Sequence, residues 1–393
     1  MANDHREMSA RNEHREVNED GLNSATTLAD STGDQEQRFR AAFSLLDDAI
    51  LQHAFPGAVL AVTLRGTLVA HRAFGRFTYQ ADSPLVTRET LWDLASLTKV
   101  LATTAMAMLL YDRGKLSLDA PVVELLPEFA NGLDRRREEV TVRMLLAHSS
   151  GLPAHQKLYL EANGREAITA AAMRVPLERA PMEQAVYSDI GFILLGEMLE
   201  RITAERLDKF CTKEVFAPLK LNMKFSAQSS LITRVPPTVD DTEYRGRVVQ
   251  GEVNDENASA MGGVAPHAGL FADALSVSGF AECLLGGGAP LFKTETVRLF
   301  TTRQPEPEET SRALGWDTPS GHSQSGTKFS KHSFGHTGFT GTSLWCDPEW
   351  CDPERGLSVT LLTNRTWPDG QNQAIKEVRP KVHDAIVTAL QNG

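Results

Sequence analysis

The sequence predicts an α+β fold: an antiparallel sheet flanked by helices, built from both chain ends, with a mainly helical subdomain inserted between them. Three observations carry this expectation. First, EQRFRAAFSLLDDAILQHAF, from Glu36, places Phe39, Phe43, Leu46 and Ile50 at helical spacing, and GAVLAVTLRGTLVAHRAFGRFT then reads as two β-runs turning at Arg65-Gly66. Second, from Thr90 to about residue 300 the periodic segments are mostly helical, chiefly 91–113, 141–148, 166–174, 189–210 and 273–285. Third, strand patterns return in GTSLWCDPEW and GLSVTLLTNRT, and IKEVRPKVHDAIVTAL closes the chain as a helix with Pro380 near one turn of it. The expected organisation is a polar tail over 1–35, a sheet subdomain from 36–90 and 300–393, and a helical subdomain over 91–299, with the active site between the two subdomains.

Composition narrows the function classes. A chain of 393 residues, 41% apolar and 23% charged, has the make-up of a globular protein with room for two subdomains. A net charge of −11 argues against nucleic acid or an anionic membrane as partner, because both reward a basic surface. Cys211, Cys283, Cys346 and Cys351 are scattered, unlike the framework of a disulfide-stapled domain. The first 35 residues are polar and acid-rich with no apolar h-region, so a disordered tail and no signal peptide are expected, and no window is apolar enough to span a bilayer. The expectation is a soluble, cytoplasmic protein acting on a small molecule.

Several chemistries are excluded by missing motifs: no G-x-S-x-G, H-E-x-x-H, G-x-x-x-x-G-K-[ST] or G-x-G-x-x-G occurs. The tandem WCDPEWCDPE, 345–354, reads as a duplicated turn; no histidine or third cysteine follows Cys346 and Cys351 at zinc-like spacing, so neither a metal nor an organic cofactor is expected. Two S-x-x-K pairs are present. That of Ser325 and Lys328 lies in a glycine-bearing polar loop and reads as coincidence. Ser96 and Lys99 open LTKVLATTAMAMLL, an apolar run read as a helix, where positions three apart share a face. Burial drives a lysine toward its neutral amine, and a neutral amine beside a hydroxyl is a base beside a nucleophile. The helix start also favours negative charge on an attacking oxygen.

Two further pieces join this pair. YSDIGFILLGEMLERI sets Tyr187 just before a helix capped by Ser188 or Asp189, and FGHTGFTGTSLW sets His336-Thr337-Gly338 on a late strand. The ordered set S-x-x-K, Y-x-[ND], [KH]-[TS]-G resembles the serine β-lactamase and penicillin-binding protein family, in particular the class C-like branch of esterases, peptidases and amidases. The resemblance runs from about residue 36 to 391 and includes RMLLAHSSGLP, FAPLKLNMKFS, HAGLFADALSVSGFAECLL and LSVTLLTNR.

That resemblance implies a β-lactamase/transpeptidase-like fold and a serine hydrolase that forms an acyl-Ser96 intermediate. Lys99 would be a neutral or proton-sharing amine receiving the hydroxyl proton. Tyr187 would act with it and then protonate the leaving group, as a phenol made more acidic by nearby positive charge. The backbone N–H groups of Ser96 and Phe339 would form the oxyanion hole, and Asp189 would orient lysine and substrate, with Thr337 and Gly338 at the substrate. The GEVNDENASAMGGVAPHAGLF stretch is similar to segments of members acting on peptidoglycan-derived amides, which sets Asp255, Asn257 and His267 at the pocket; Asn254 and Pro266 stand there in place of an expected histidine and glycine. His148, Ser149 and Ser150 read as a structural turn after a helix.

His336 stands where β-lactamases carry lysine. A histidine titrating near neutrality is a weaker, pH-dependent anchor for a carboxylate, which argues against efficient penicillin hydrolysis. The leading expectation is therefore hydrolysis of a small ester or of a cell-wall-derived amide or peptide. A true β-lactamase and a penicillin-binding sensor or non-catalytic binding protein stand as alternatives.

Overall fold

The computed structural model describes residues 28–130, 134–225, 229–321, 323–350 and 356–392. Its main sheet has six strands in the order Ala29–Asp30, Thr67–Gly75, Gly57–Leu64, Leu357–Thr363, Ser343–Asp347, Phe334–Thr337. All pairings are antiparallel except the outermost, where Ala29–Asp30 runs parallel to Thr67-Leu68. The first two long strands are joined at Arg65 and Gly66, both at positive φ, as a two-residue hairpin that follows the strand twist requires.

Alternation along GAVLAVTL explains why the sheet lies inside. Ala58, Leu60 and Val62 face a core with Phe39, Phe43 and Leu46 of the N-terminal helices and Val382, Ile386 and Val387 of the C-terminal helix Ile375–Gln391. Val59 and Ala61 face the opposite way, into the larger core with Val277, Phe280 and Ala281 of the helix Ala274–Leu285. A strand apolar on both faces needs cover on both faces. The C-terminal helix packs against Arg40–Leu51, so the two chain ends close one layer together.

Local differences from the sequence reading have physical causes. Residues 28–35 are not tail: Ala29–Asp30 extends the sheet, and Gln35 is buried with its side-chain oxygen accepting from the His71 N–H at 2.9 Å. The rest of the expected tail, 1–27, lies outside the described residues. The 91–113 helix begins later, because Trp92–Asp93 pairs with Phe271 and Ala272 in a small three-stranded sheet with Met223–Phe225. The 189–210 segment is two helices, Asp189–Thr203 and Leu207–Cys211, broken at left-handed Ala204. In the duplicated WCDPE, the first copy is strand through Asp347 with Trp345 and Cys346 wholly buried; packing of the indole overrides the turn, and 351–354 lie outside the described residues. No helix of the described residues is long and apolar enough to cross a membrane.

Candidate active site

Ser96 stands on a tight turn between the short strand Trp92–Asp93 and the helix that runs on through a π-helical stretch, Lys99–Thr104, into Ala105–Asp112. Ala95, just before it, is held at φ +46°, a left-handed conformation costly for alanine. The turn is fastened from three sides. Thr340 Oγ1 donates to Asp93 O at 2.8 Å and Thr342 Oγ1 to Leu94 O at 3.0 Å. The Asp93 carboxylate accepts from Ala95 N–H at 2.9 Å and Asn254 N–H at 2.6 Å. Gly338 permits this approach of the late strand, since a Cβ there would overlap the Thr342 hydroxyl and the Leu94 carbonyl oxygen.

Lys99 is wholly buried, and its Nζ has three oxygen neighbours: Ser96 Oγ at 3.0 Å, His267 O at 3.1 Å and Asp189 Oδ1 at 2.6 Å. It also lies 4.8 Å from the Tyr187 ring centroid and 5.7 Å from that of Phe192. Burial favours losing the proton, but the Asp189 charge, with Tyr187 behind it, wins and the net shift of Lys99 is upward. Of the neutral or proton-sharing amine that the resemblance implies, this balance favours the proton-sharing form: at rest Lys99 is held toward the ammonium and donates to Ser96. Asp189 is pushed up by its own burial, yet Lys99 and the His155 ring, whose Nδ1 lies 3.4 Å away, hold the carboxylate well below its usual range. Ser188 is the helix cap, its Oγ accepting from Gly191 N–H at 3.1 Å, which leaves the Asp189 carboxylate available to the lysine.

Tyr187 is packed against His148, ring centroids 4.6 Å apart, and His336, 5.7 Å apart. Its buried hydroxyl makes no hydrogen bond of good geometry among the described residues, although Lys99 and Ser96 lie near enough to act on its acidity. Burial raises the phenol more than Lys99 lowers it, so the expected acidified tyrosine is corrected to a phenol that keeps its proton. His336 is buried with Nδ1 2.9 Å from Thr337 O, and burial, with Lys99 and Arg312 nearby, pushes it down to about 3. The expected neutral-pH switch is therefore an uncharged ring over the whole physiological range.

His267 presents its carbonyl to Lys99 and its ring to Asp255, Nε2 to Oδ1 at 2.9 Å; the ring is buried. Asn257, expected at the pocket, is instead a buried pin: Oδ1 accepts from Tyr159 N–H at 3.0 Å and Nδ2 donates to Gln156 O at 2.8 Å. His155, Asp189 and Asp255 each bring a donor atom within 4.8 Å of one another. Asp189 is committed to Lys99 and Asp255 to the His267 ring, so both carboxylates of this wall already have partners. Thr337 is half-buried at the end of its strand. The N–H groups of Ser96 and Phe339 have no acceptor among the described residues, while the Phe339 ring is 55% exposed, backed by the Arg365 guanidinium 4.3 Å from its centroid.

Sequence reasoning passed over three members of this assembly. His148 packs at a tilt against Tyr187, stacks on Phe192 and takes the Ser188 N–H on Nδ1 at 3.0 Å, as well as forming the expected turn at φ +58°. Arg312 lies with Cζ 5.3 Å from the Tyr187 centroid and Nη1 3.7 Å from Asp317 Oδ1, and its guanidinium makes no hydrogen bond among the described residues. Asp93 was hidden in LWDLAS as one acid in an apolar run. Only the last carried a usable signal, because a carboxylate there must find donors.

A buried lysine beside a serine on a strained turn, faced by a tyrosine and the end of a sheet strand, defines a serine acyl-transfer hydrolase. Residues 32–381 match the family model described as Beta-lactamase, and the chain belongs to that family. It is 31% identical over 348 residues to an N-acetylmuramyl-L-alanine amidase of Bacillus subtilis (strain 168), covering 79% of this chain and 77% of the relative. It is 29% identical over 350 residues to a putative D-alanyl-D-alanine carboxypeptidase of Escherichia coli (strain K12), covering 79% of each. Among solved structures, EstCE1, a hydrolase with promiscuous acyltransferase activity, superposes with a TM-score of 0.72 at 20% identity, over 90% of this chain and 99% of that one. The α+β expectation and the family resemblance both hold.

Proposed function

We propose that the protein hydrolyses an amide or ester of a small, peptide-type substrate through acyl-Ser96. The observation that carries this is the 3.0 Å approach of Lys99 Nζ to Ser96 Oγ, with the lysine wholly buried and paired to Asp189. Because the lysine rests as an ammonium, it must first unload a proton. Against the resting order of the two groups, that proton crosses the 2.6 Å pair to Asp189 only transiently, an uphill step, and the resulting amine takes the Ser96 hydroxyl proton as Oγ attacks the carbonyl carbon. The growing oxyanion is met by the free N–H groups of Ser96 and Phe339. Tyr187 then protonates the leaving group and is reprotonated by Lys99, which recovers its own proton from Asp189. Water repeats the cycle to release the acyl group, and no proton is gained or lost.

The amide side of this reading draws support from the Bacillus relative, whose name states an amidase. Arg312 supports a substrate bearing an anionic group, since its guanidinium lies over Tyr187, loosely paired with Asp317 and without a hydrogen bond among the described residues. The uncharged His336 speaks against a β-lactam anchored by that residue. Intact mass after a fluorophosphonate probe, with Ser96→Ala alongside, tests the nucleophile; esters, muropeptides and β-lactams then sort the substrate. One adduct that is lost in the variant is expected. An unlabelled wild type overturns the reading, and an adduct with substrate that never turns over places the protein among acyl-holding sensors.

A further inference from the structure

Asp93 is a buried carboxylate that the mechanism does not use. It is 2% exposed and no cation contacts it among the described residues; both of its oxygens accept backbone N–H groups. The two bonds reach different places. Ala95 N–H, at 2.9 Å, belongs to the strained turn immediately before Ser96. Asn254 N–H, at 2.6 Å, opens the loop that leads through Asp255 to His267, whose carbonyl oxygen accepts from Lys99. The peptide between Val253 and Asn254 is polarised from both ends. Its N–H donates to Asp93, and its carbonyl accepts from Arg245 Nη1 at 2.9 Å. A charge that burial alone would make costly is thus balanced through one peptide unit.

We infer that Asp93 is a positioning residue that fixes the Ser96 turn and the loop holding Lys99 against one another. The inference rests on the acyl-Ser96 reading above. A left-handed alanine relaxes unless its surroundings over-determine it, and here the Ala95 N–H is held by the carboxylate while Thr340 and Thr342 hold the carbonyls of Asp93 and Leu94. Losing the carboxylate releases the N–H side of the turn and uncouples the nucleophile from its base. Misplacement of about 1 Å costs on the order of 100-fold in rate.

Asp93→Asn is the direct test. It preserves shape and leaves one acceptor, but turns an NH₂ toward a backbone N–H. Fluorophosphonate labelling of Ser96 and kcat are expected to fall about 100-fold, with KM within about threefold and the cooperative melt retained. Wild-type labelling speed in a folded Asp93→Asn protein overturns the inference. A wild type that is not labelled overturns the acyl-Ser96 reading itself. A second measurement does not depend on the variant folding. Asp93 is raised to about 6 by burial, against its two backbone bonds, with Asp255 and Arg245 the charged groups facing it. Wild-type labelling should therefore decline below about pH 6 while the protein stays folded. The decline should persist in His155→Gln, which removes the exposed ring beside Asp189. A decline that is absent, or that vanishes with His155, overturns the inference.

Discussion

Lys99 and Asp189 face each other at 2.6 Å, the ammonium with no solvent exposure and the carboxylate side chain with 16%. An asparagine here would orient the lysine; an aspartate also keeps it charged. Breaking such a buried pair from one side typically costs about 3–5 kcal/mol, because the remaining charge is stranded.

Asp189→Asn should therefore lower stability by about that amount at neutral pH, measured by denaturant unfolding. The pH window follows from both partners. Asp189 is lowered from 3.8 and Lys99 raised from 10.5, so the pair stabilises fully between those values. The gap between wild type and variant should close as pH falls below 3.8 and as it rises above 10.5. A gap that is unchanged at pH 3 would count against the pair.

Four buried histidines should make the fold acid-labile, His148 among them, which burial holds well below its usual value. His71 is depressed to about 4, and His336 and His383 to about 3, burial being the leading cause in each. Below 6.5 the unfolded chain protonates these rings and the folded chain does not, so stability present above 6.5 is lost as pH falls. Each contributes up to about 1.4 kcal/mol per pH unit. His336→Gln should reduce the slope by one proton between pH 6 and 4, and should lower kcat/KM without changing the shape of its pH profile from 5 to 8.

Tyr187→Phe should separate amides from activated esters. A donor that protonates the leaving group matters only where the leaving group needs a proton, so amide hydrolysis should fall about 100-fold or more. A nitrophenyl ester should lose about tenfold or less, as should fluorophosphonate labelling. Equal losses on both substrates would assign the tyrosine to positioning.

Gly338→Ala should drive the late strand away from the nucleophile turn, because its Cβ would meet Thr342 and Leu94. The core lies elsewhere, so the melt should remain cooperative while acylation falls about 100-fold. Retained acylation would show that the strand end and the Ser96 turn adjust independently.

Arg312→Ala should discriminate by substrate charge. KM for substrates with a free carboxylate should rise about tenfold or more, as expected for losing a charge-assisted contact, with neutral esters little changed. A uniform change across both sets would make Arg312 a support for Tyr187.

Particular residues show how far the sequence could be read. Ser96, Lys99, Tyr187 and His336 were legible because residue types at short spacing, in a fixed order, survive translation into one dimension. The hairpin at Arg65-Gly66 was legible, and the cap was narrowed to Ser188 or Asp189, because turns and caps are local. The charge state of Lys99 was not, since it depends on Asp189, ninety residues away, and on how both are closed from water. The placement of Arg312 and Asp93 also depends on separate segments meeting, at Tyr187 and at Asn254.

By itself, then, the sequence pointed to the groups proposed to carry the chemistry and to the α+β order of elements around them, because periodicity, capping and motif spacing are properties of neighbours along the chain. The tertiary structure alone decided their protonation and aim: a lysine held as an ammonium, a tyrosine keeping its proton, a histidine held neutral and a strained turn fastened by a buried aspartate. Those outcomes are set by burial and by charges brought together from distant segments, and electrostatic energy depends on distance in space and on exclusion of water, neither of which is written in sequence spacing.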